Sequence, residues 1–149
     1  MNLNLKIEGL DELKRDAARA GADAKPLVKA ALTNIGTRMQ KNIRQKAPHK
    51  TGALQRSILG EVKESVLTVS ANVKYGPMLE YGTRRRIIEP RTAKALYWKG
   101  ASHPVRSVRH PGIKPRKFFS GGVETSLPYA LEQFEKVAER LVKITAGHR

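Results

Sequence analysis

The sequence predicts an α+β fold, a mostly antiparallel sheet packed against a long N-terminal-half helix and a C-terminal helix, with a long basic loop. Three observations predict it. Val28, Leu32, Ile35, Met39 and Ile43 form one apolar stripe at helical spacing. Residues 57–63 and 66–73 are two β-prone runs separated only by Glu64-Ser65, which reads as a hairpin turn. Leu127, Ala130, Leu131, Phe134, Val137, Ala138, Leu141 and Val142 again step by three and four, the mark of an amphipathic helix.

The remaining elements follow in chain order. Leu3, Leu5 and Ile7 alternate with polar residues, as in a short strand ending at Gly9. Asp11 fits a helix N-cap, with Leu10, Leu13, Ala17 and Ala20 at helical spacing after it. Gly21 and Pro26 interrupt that pattern, and Pro26 suits the first turn of the next helix. This long helix ends before Ala47-Pro48, because a residue preceding proline is pushed out of the helical region. Residues 75–81 form about one helical turn. Residues 84–89 and 93–98 read as two strands broken by Pro90. Residues 99–117 lose all periodicity among prolines, glycines and basic side chains, and read as a loop. The last helix is expected to begin near Leu127, with Pro128 in its first turn and Gly147 just past its end.

The 149 residues suit a single domain over 1–149 with one core. Three Phe, four Tyr and one Trp leave that core mainly to aliphatic side chains. Without cysteine there is no disulfide framework, thiolate metal site or cysteine nucleophile. The alternating N-terminus is not the pattern of a signal peptide, and no apolar run approaches a membrane span. A protein without its own export signal and with no membrane partner is expected.

The net charge of +16 is unevenly placed. Residues 25–63 carry nine basic and one acidic group, and residues 84–117 carry eleven and one. These two segments hold +8 and +10, while the rest sums to −2. Such clustering calls for an anionic partner, either nucleic acid or an acidic protein face.

The chemical inventory is poor. His49, His103, His110 and His148 lack the spacing of a helical zinc motif, and His103 and His110 lie among cations that repel a metal. No Gly-x-Ser-x-Gly elbow or phosphate-cradling glycine loop is present. Glu124, Glu132, Glu135 and Glu139 read as a solvated helix face rather than paired catalytic carboxylates. The expectation is no metal, no cofactor, no catalytic residue and no enzyme activity.

The triplet Arg84-Arg85-Arg86 has two readings of equal weight. It is either an edge strand charged against edge-to-edge pairing, or a set of guanidinium forks that dock on phosphates or on a neighbour's carboxylates. With Arg91, Lys99, Arg106, Arg109, Lys114, Arg116 and Lys117 these arginines are the candidate contacts to subunits or DNA. Trp98, the sole tryptophan, reads as core before interface anchor. Glu80, between Tyr75 and Tyr81, needs a basic partner if buried, and the nearby arginines are the expected source.

Three motifs in order carry a family resemblance. They are Ala47-Pro48-His49-Lys50-Thr51-Gly52 running on to Ser57-Ile58, then Glu80-Tyr81-Gly82-Thr83 after Tyr75, then His110-Pro111-Gly112 ahead of Phe118-Phe119. The chain resembles the HK-ninety-seven gene-product-ten-like family of phage tail components, from about Gly9 to the C-terminal helix. The residues also make sense as architecture. Thr51-Gly52 turns the chain from helix to sheet, Gly82 lets it leave a helical turn, and His110-Pro111-Gly112 makes another turn. The sequence departs from the family in its very basic stretch, residues 84–117.

The resemblance implies a structural subunit of the neck or tail-completion region at the head–tail junction. Such a subunit is made in the host cytoplasm and built into the virion. A homo-oligomeric ring of six or twelve copies around the DNA path is implied, with other neck and tail proteins as partners and transient contact with duplex DNA. Against it stand a free basic nucleic-acid-binding protein, an enzyme such as a nuclease or muramidase, and a ribosome-associated protein. The first of these lacks a row of stacking aromatics in its basic stretches.

Overall fold

A computed structural model describes residues 3–7 and 24–146. The helix expected after Asp11 and the terminal Gly147 lie outside the described residues. Strand β1 (Leu3–Ile7) is followed by α1 (Ala24–Lys46), the short helix α2 (Ala53–Ser57), β2 (Ile58–Lys63) and β3 (Val66–Ala71). Then come α3 (Gly76–Tyr81), β4 (Arg86–Ile88), β5 (Val108–His110) and α4 (Phe118–Ala146).

Among the described residues the first sheet is antiparallel, in the order β1-β3-β2. Leu3 and Ile58 both face Ala71, from opposite sides of the central strand. The β2–β3 turn is tight because Glu64 and Ser65 both take positive φ, 48° and 68°, the combination whose twist matches a right-handed hairpin. Alternation along β3 buries Leu67, Val69 and Ala71 against α1.

Helix α1 is the shared layer: the sheet packs on it, and so does α4. Its predicted stripe, Val28, Leu32, Ile35, Met39 and Ile43, is buried throughout. Ala130, Val137 and Leu141 of α4 face it, and Phe118 and Phe119 meet edge to face at the base of α4. One buried polar pair crosses this helix contact. Asn42 donates to Ser126 Oγ at 2.9 Å, and Ser126 donates to the Gly122 carbonyl at 2.8 Å, so neither is left unpaired.

Five sequence expectations are corrected. Helix α4 begins at Phe118 rather than near Leu127, so Pro128 lies inside it. Within this added stretch, Gly122 is where the two long helices touch. A Cβ there would stand 2.6 Å from Ile43 Cα. The strand expected over 84–89 shrinks to β4. Residues 93–98 form no strand, contributing only a bridge between Leu96 and Val105. Residues 99–117 are not all loop, since β5 pairs with β4. Trp98 is not core, being 49% exposed.

The glycine contact gives a test. Gly122→Val is expected to lower stability by about 1–3 kcal/mol, the usual cost of overpacking a fitted contact. Chemical denaturation followed by circular dichroism would measure it.

Candidate functional site

Residues 83–113 form an arm whose two legs pair with each other. Arg86, Ile87 and Ile88 lie opposite His110, Arg109 and Val108. A bridge of Thr83 with Ile113 closes the base, and the Leu96–Val105 bridge lies nearer the tip. The principal contacts of β4 and β5 are with each other rather than with the helical body. Short legs with few apolar residues explain why the first was read too long and the second, β5, was read as loop. Three residues per strand carry too little alternation to read.

The base of the arm is built from two of the three motifs. Thr83 exchanges backbone hydrogen bonds with Ile113 at 2.9 and 3.1 Å, and its hydroxyl also accepts from the Ile113 N–H at 3.0 Å. Gly82 has φ 76°, and a Cβ there would run into the Ile113 carbonyl and Pro115, so only glycine fits. Gly112 stands across from the Thr83 carbonyl. Its N–H donates to His110 Nδ1 at 3.0 Å, shaping the turn through Pro111.

From this base the chain returns to the body through Glu80. Arg116 and Lys117 donate their backbone N–H groups to the carbonyls of Leu79 and Glu80, at 2.8 and 3.3 Å. The Glu80 side chain, only 2% exposed, meets the start of α4. Its Oε2 accepts from the Phe119 N–H at 2.8 Å, and its Oε1 from the Ser120 N–H at 3.0 Å. The expectation of a basic side-chain partner is thereby corrected. A helix N-terminus offers unpaired N–H donors and a positive dipole end, which satisfy a buried carboxylate with no arginine partner among the described residues. The same contact explains the early start of α4, because the cap comes from a residue far away in sequence.

The first motif lies on the same side of the body. Pro48, His49, Thr51, Gly52, Tyr75 and Arg116 share the rim of an open depression of about 670 Å³. Gly52 starts α2, whose residue Gln55 is locked to α1. Gln55 donates to the Arg44 carbonyl at 3.0 Å, while Arg44 donates from Nε to the Gln55 carbonyl at 3.0 Å and from its second nitrogen to the Ile58 carbonyl at 2.9 Å. Arg44 thus spends its hydrogen bonds on the fold. Arg38 lies over the Tyr129 ring at 5.4 Å. Part of the charge in residues 25–63 is therefore structural, which residue counting could not reveal.

The arm and its return segment are different. Arg84, Arg85, Arg86, Arg91, Lys99, Arg106, Arg109, Lys114, Arg116 and Lys117 are all exposed. Arg85, Arg86 and Arg109 surround a shallow depression of about 440 Å³ in which Ile87 and Pro111 supply apolar surface. Near the tip stand Tyr97, 69% exposed, and Trp98, beside Lys99. Exposed aromatics next to cations are the composition of a contact surface, and the sequence reading of Trp98 as core had concealed them. The described residues hold no cluster of three or more His, Asp or Glu suited to a metal. No described helix is long and apolar enough to cross a membrane.

Comparison with known proteins agrees with the motif resemblance over the first half of the chain. A family model described as "Bacteriophage HK97-gp10, putative tail-component" matches residues 11–82. That span takes in the Ala-Pro-x-x-Thr-Gly turn and ends at Gly82, so the basic arm lies beyond it. Searches among curated proteins and solved structures find no match. Over residues 11–82 the chain is therefore similar to the HK97-gp10-like family, whose description is that of a putative bacteriophage tail component.

Proposed function

We propose that this protein is a non-catalytic subunit of a neck or tail-completion ring at the head–tail junction, of six or twelve copies around the DNA path. The observation that carries the reading is the arm. Eleven exposed cations, the ten candidates and Lys94, sit on a hairpin and return segment that contribute little to the core, yet are held at their base by Gly82, Thr83 and Glu80. Selection for stability alone does not require such a structure. A surface that docks on acidic neighbours does.

The charge is assigned first to protein contacts and second to passing DNA. Every phosphate neutralised adds salt-dependent affinity, and a conduit that binds its cargo tightly would hold it in place. Imaging intact particles at subunit resolution tests location and copy number together. Replacing Arg84, Arg85 and Arg86 by alanine is expected to leave folding unchanged and to reduce the joining of heads to tails. Counts of complete against tailless particles would measure this, and unchanged counts would defeat the proposal. Screens against DNA and peptidoglycan are expected to show no turnover.

A second reading is a free nucleic-acid-binding protein. Tyr97 and Trp98 favour it, since exposed rings beside cations are how bases are stacked. Tight binding of generic duplex by the isolated chain, falling steeply with salt, would select it.

A further inference from the structure

The C-terminal helix carries four acidic and three basic groups, and they are unevenly spread over its faces. Glu124, Leu127, Leu131, Glu135, Ala138 and Glu139 recur at helical spacing along one side of α4, and all are exposed. Leu127 is 48% and Leu131 63% exposed. Two of its three cations lie elsewhere, the third being Lys143, one turn after Glu139. Lys136 and Arg140 line a cleft beside Leu27 and Asn34 of α1, and Lys136 is already paired with Glu132 four residues away. The outer face of α4 therefore offers leucines flanked by carboxylates, with Lys136 and Arg140 turned aside.

The arm offers the converse, an apolar patch at Ile87 and Pro111 flanked by Arg85, Arg86 and Arg109. Ile87 is 61% exposed, so the chain does not cover this patch with its own helix. We propose that the arm depression around Arg86, Ile87 and Arg109 receives the outer face of α4, at Leu131 and Glu135, from a second copy of this chain. Apolar side chains provide the adhesion and the charges set the register, because isolated exposed ion pairs contribute little by themselves. The two surfaces differ, so the contact is head to tail, the kind that closes into a ring when its rotation permits. The proposal rests on the ring reading above and specifies its interface.

Charge reversal tests the contact directly. One variant carries Arg85→Glu, Arg86→Glu and Arg109→Glu. A second carries Glu124→Lys, Glu135→Lys and Glu139→Lys, and a third carries all six substitutions. Each is followed by native mass spectrometry of the purified chain and by incorporation into particles, with circular dichroism melts to confirm folding. Either single-side reversal is expected to weaken self-association at least about tenfold, and the six-fold variant to regain most of it, because a matched pair of reversals recreates complementarity. Mixing the two single-side variants is expected to restore growth as alternating assemblies, because each variant's arm then meets a helix of opposite charge on the other.

Single-side variants that assemble and incorporate like the wild type would overturn the arm-to-helix contact and leave the ring reading intact. The same holds if the six-fold variant is as defective as its parents. A wild-type chain that stays monomeric in solution and is absent from particles removes the ring reading, and this interface with it.

Discussion

Glu80→Ala is expected to destabilise the protein by about 3 kcal/mol, a large share of the roughly 5–15 kcal/mol that holds a domain folded. The carboxylate is the sole side chain accepting from the first free N–H groups of α4 at Phe119 and Ser120, among the described residues. Alanine leaves both donors unpaired at a buried site and withdraws the negative charge from the positive end of the helix. Glu80→Gln retains one acceptor oxygen and should cost about half as much, with its amide N–H₂ left to find a partner. Denaturant unfolding gives the free energies, and hydrogen exchange at Phe119 and Ser120 reports the cap. Exchange should quicken there before it does in the centre of α4. Because Arg116 and Lys117 hang on Leu79 and Glu80, the alanine variant should also loosen the return leg of the arm. An unchanged unfolding midpoint would show that the helix is held without this cap.

Phe118→Ala should be comparably severe, at about 3–5 kcal/mol, while Trp98→Ala should change stability by less than about 1 kcal/mol. Phe118 is 1% exposed, in edge contact with Phe119, so truncation opens a cavity that the surrounding helices cannot fully close. Trp98 stands half in solvent near the tip of the arm. The pair separates the two roles that a large aromatic can have. The Phe118 variant loses fold and assembly together. The Trp98 variant keeps its fold and loses whatever the arm does. Equal loss of stability in both would mean that the arm tip belongs to the core.

Elements whose physics is local were legible from the residues alone. The stripe from Val28 to Ile43, the alternation along Leu67, Val69 and Ala71, and the turn at Glu64-Ser65 could all be read, because side-chain period and turn chemistry are properties of neighbouring residues. The architectural motifs were visible for the same reason. Glycines and prolines mark where the chain must bend.

Features that depend on residues far apart were settled by long-range contacts. Residues 118–126 became helix because Glu80, 39 positions before Phe119, caps them and because Gly122 fits against Ile43. Val108–His110 became a strand because Arg86–Ile88 lay ready to pair with it. The buried carboxylate chose backbone donors over guanidinium groups, which stay hydrated at the surface at no desolvation cost. The candidate site followed the same division. Ten of its eleven cations could be named from the sequence. That Arg44 is spent on carbonyls, while leucines and carboxylates share the outer side of α4, required knowing which way each helix turns its faces.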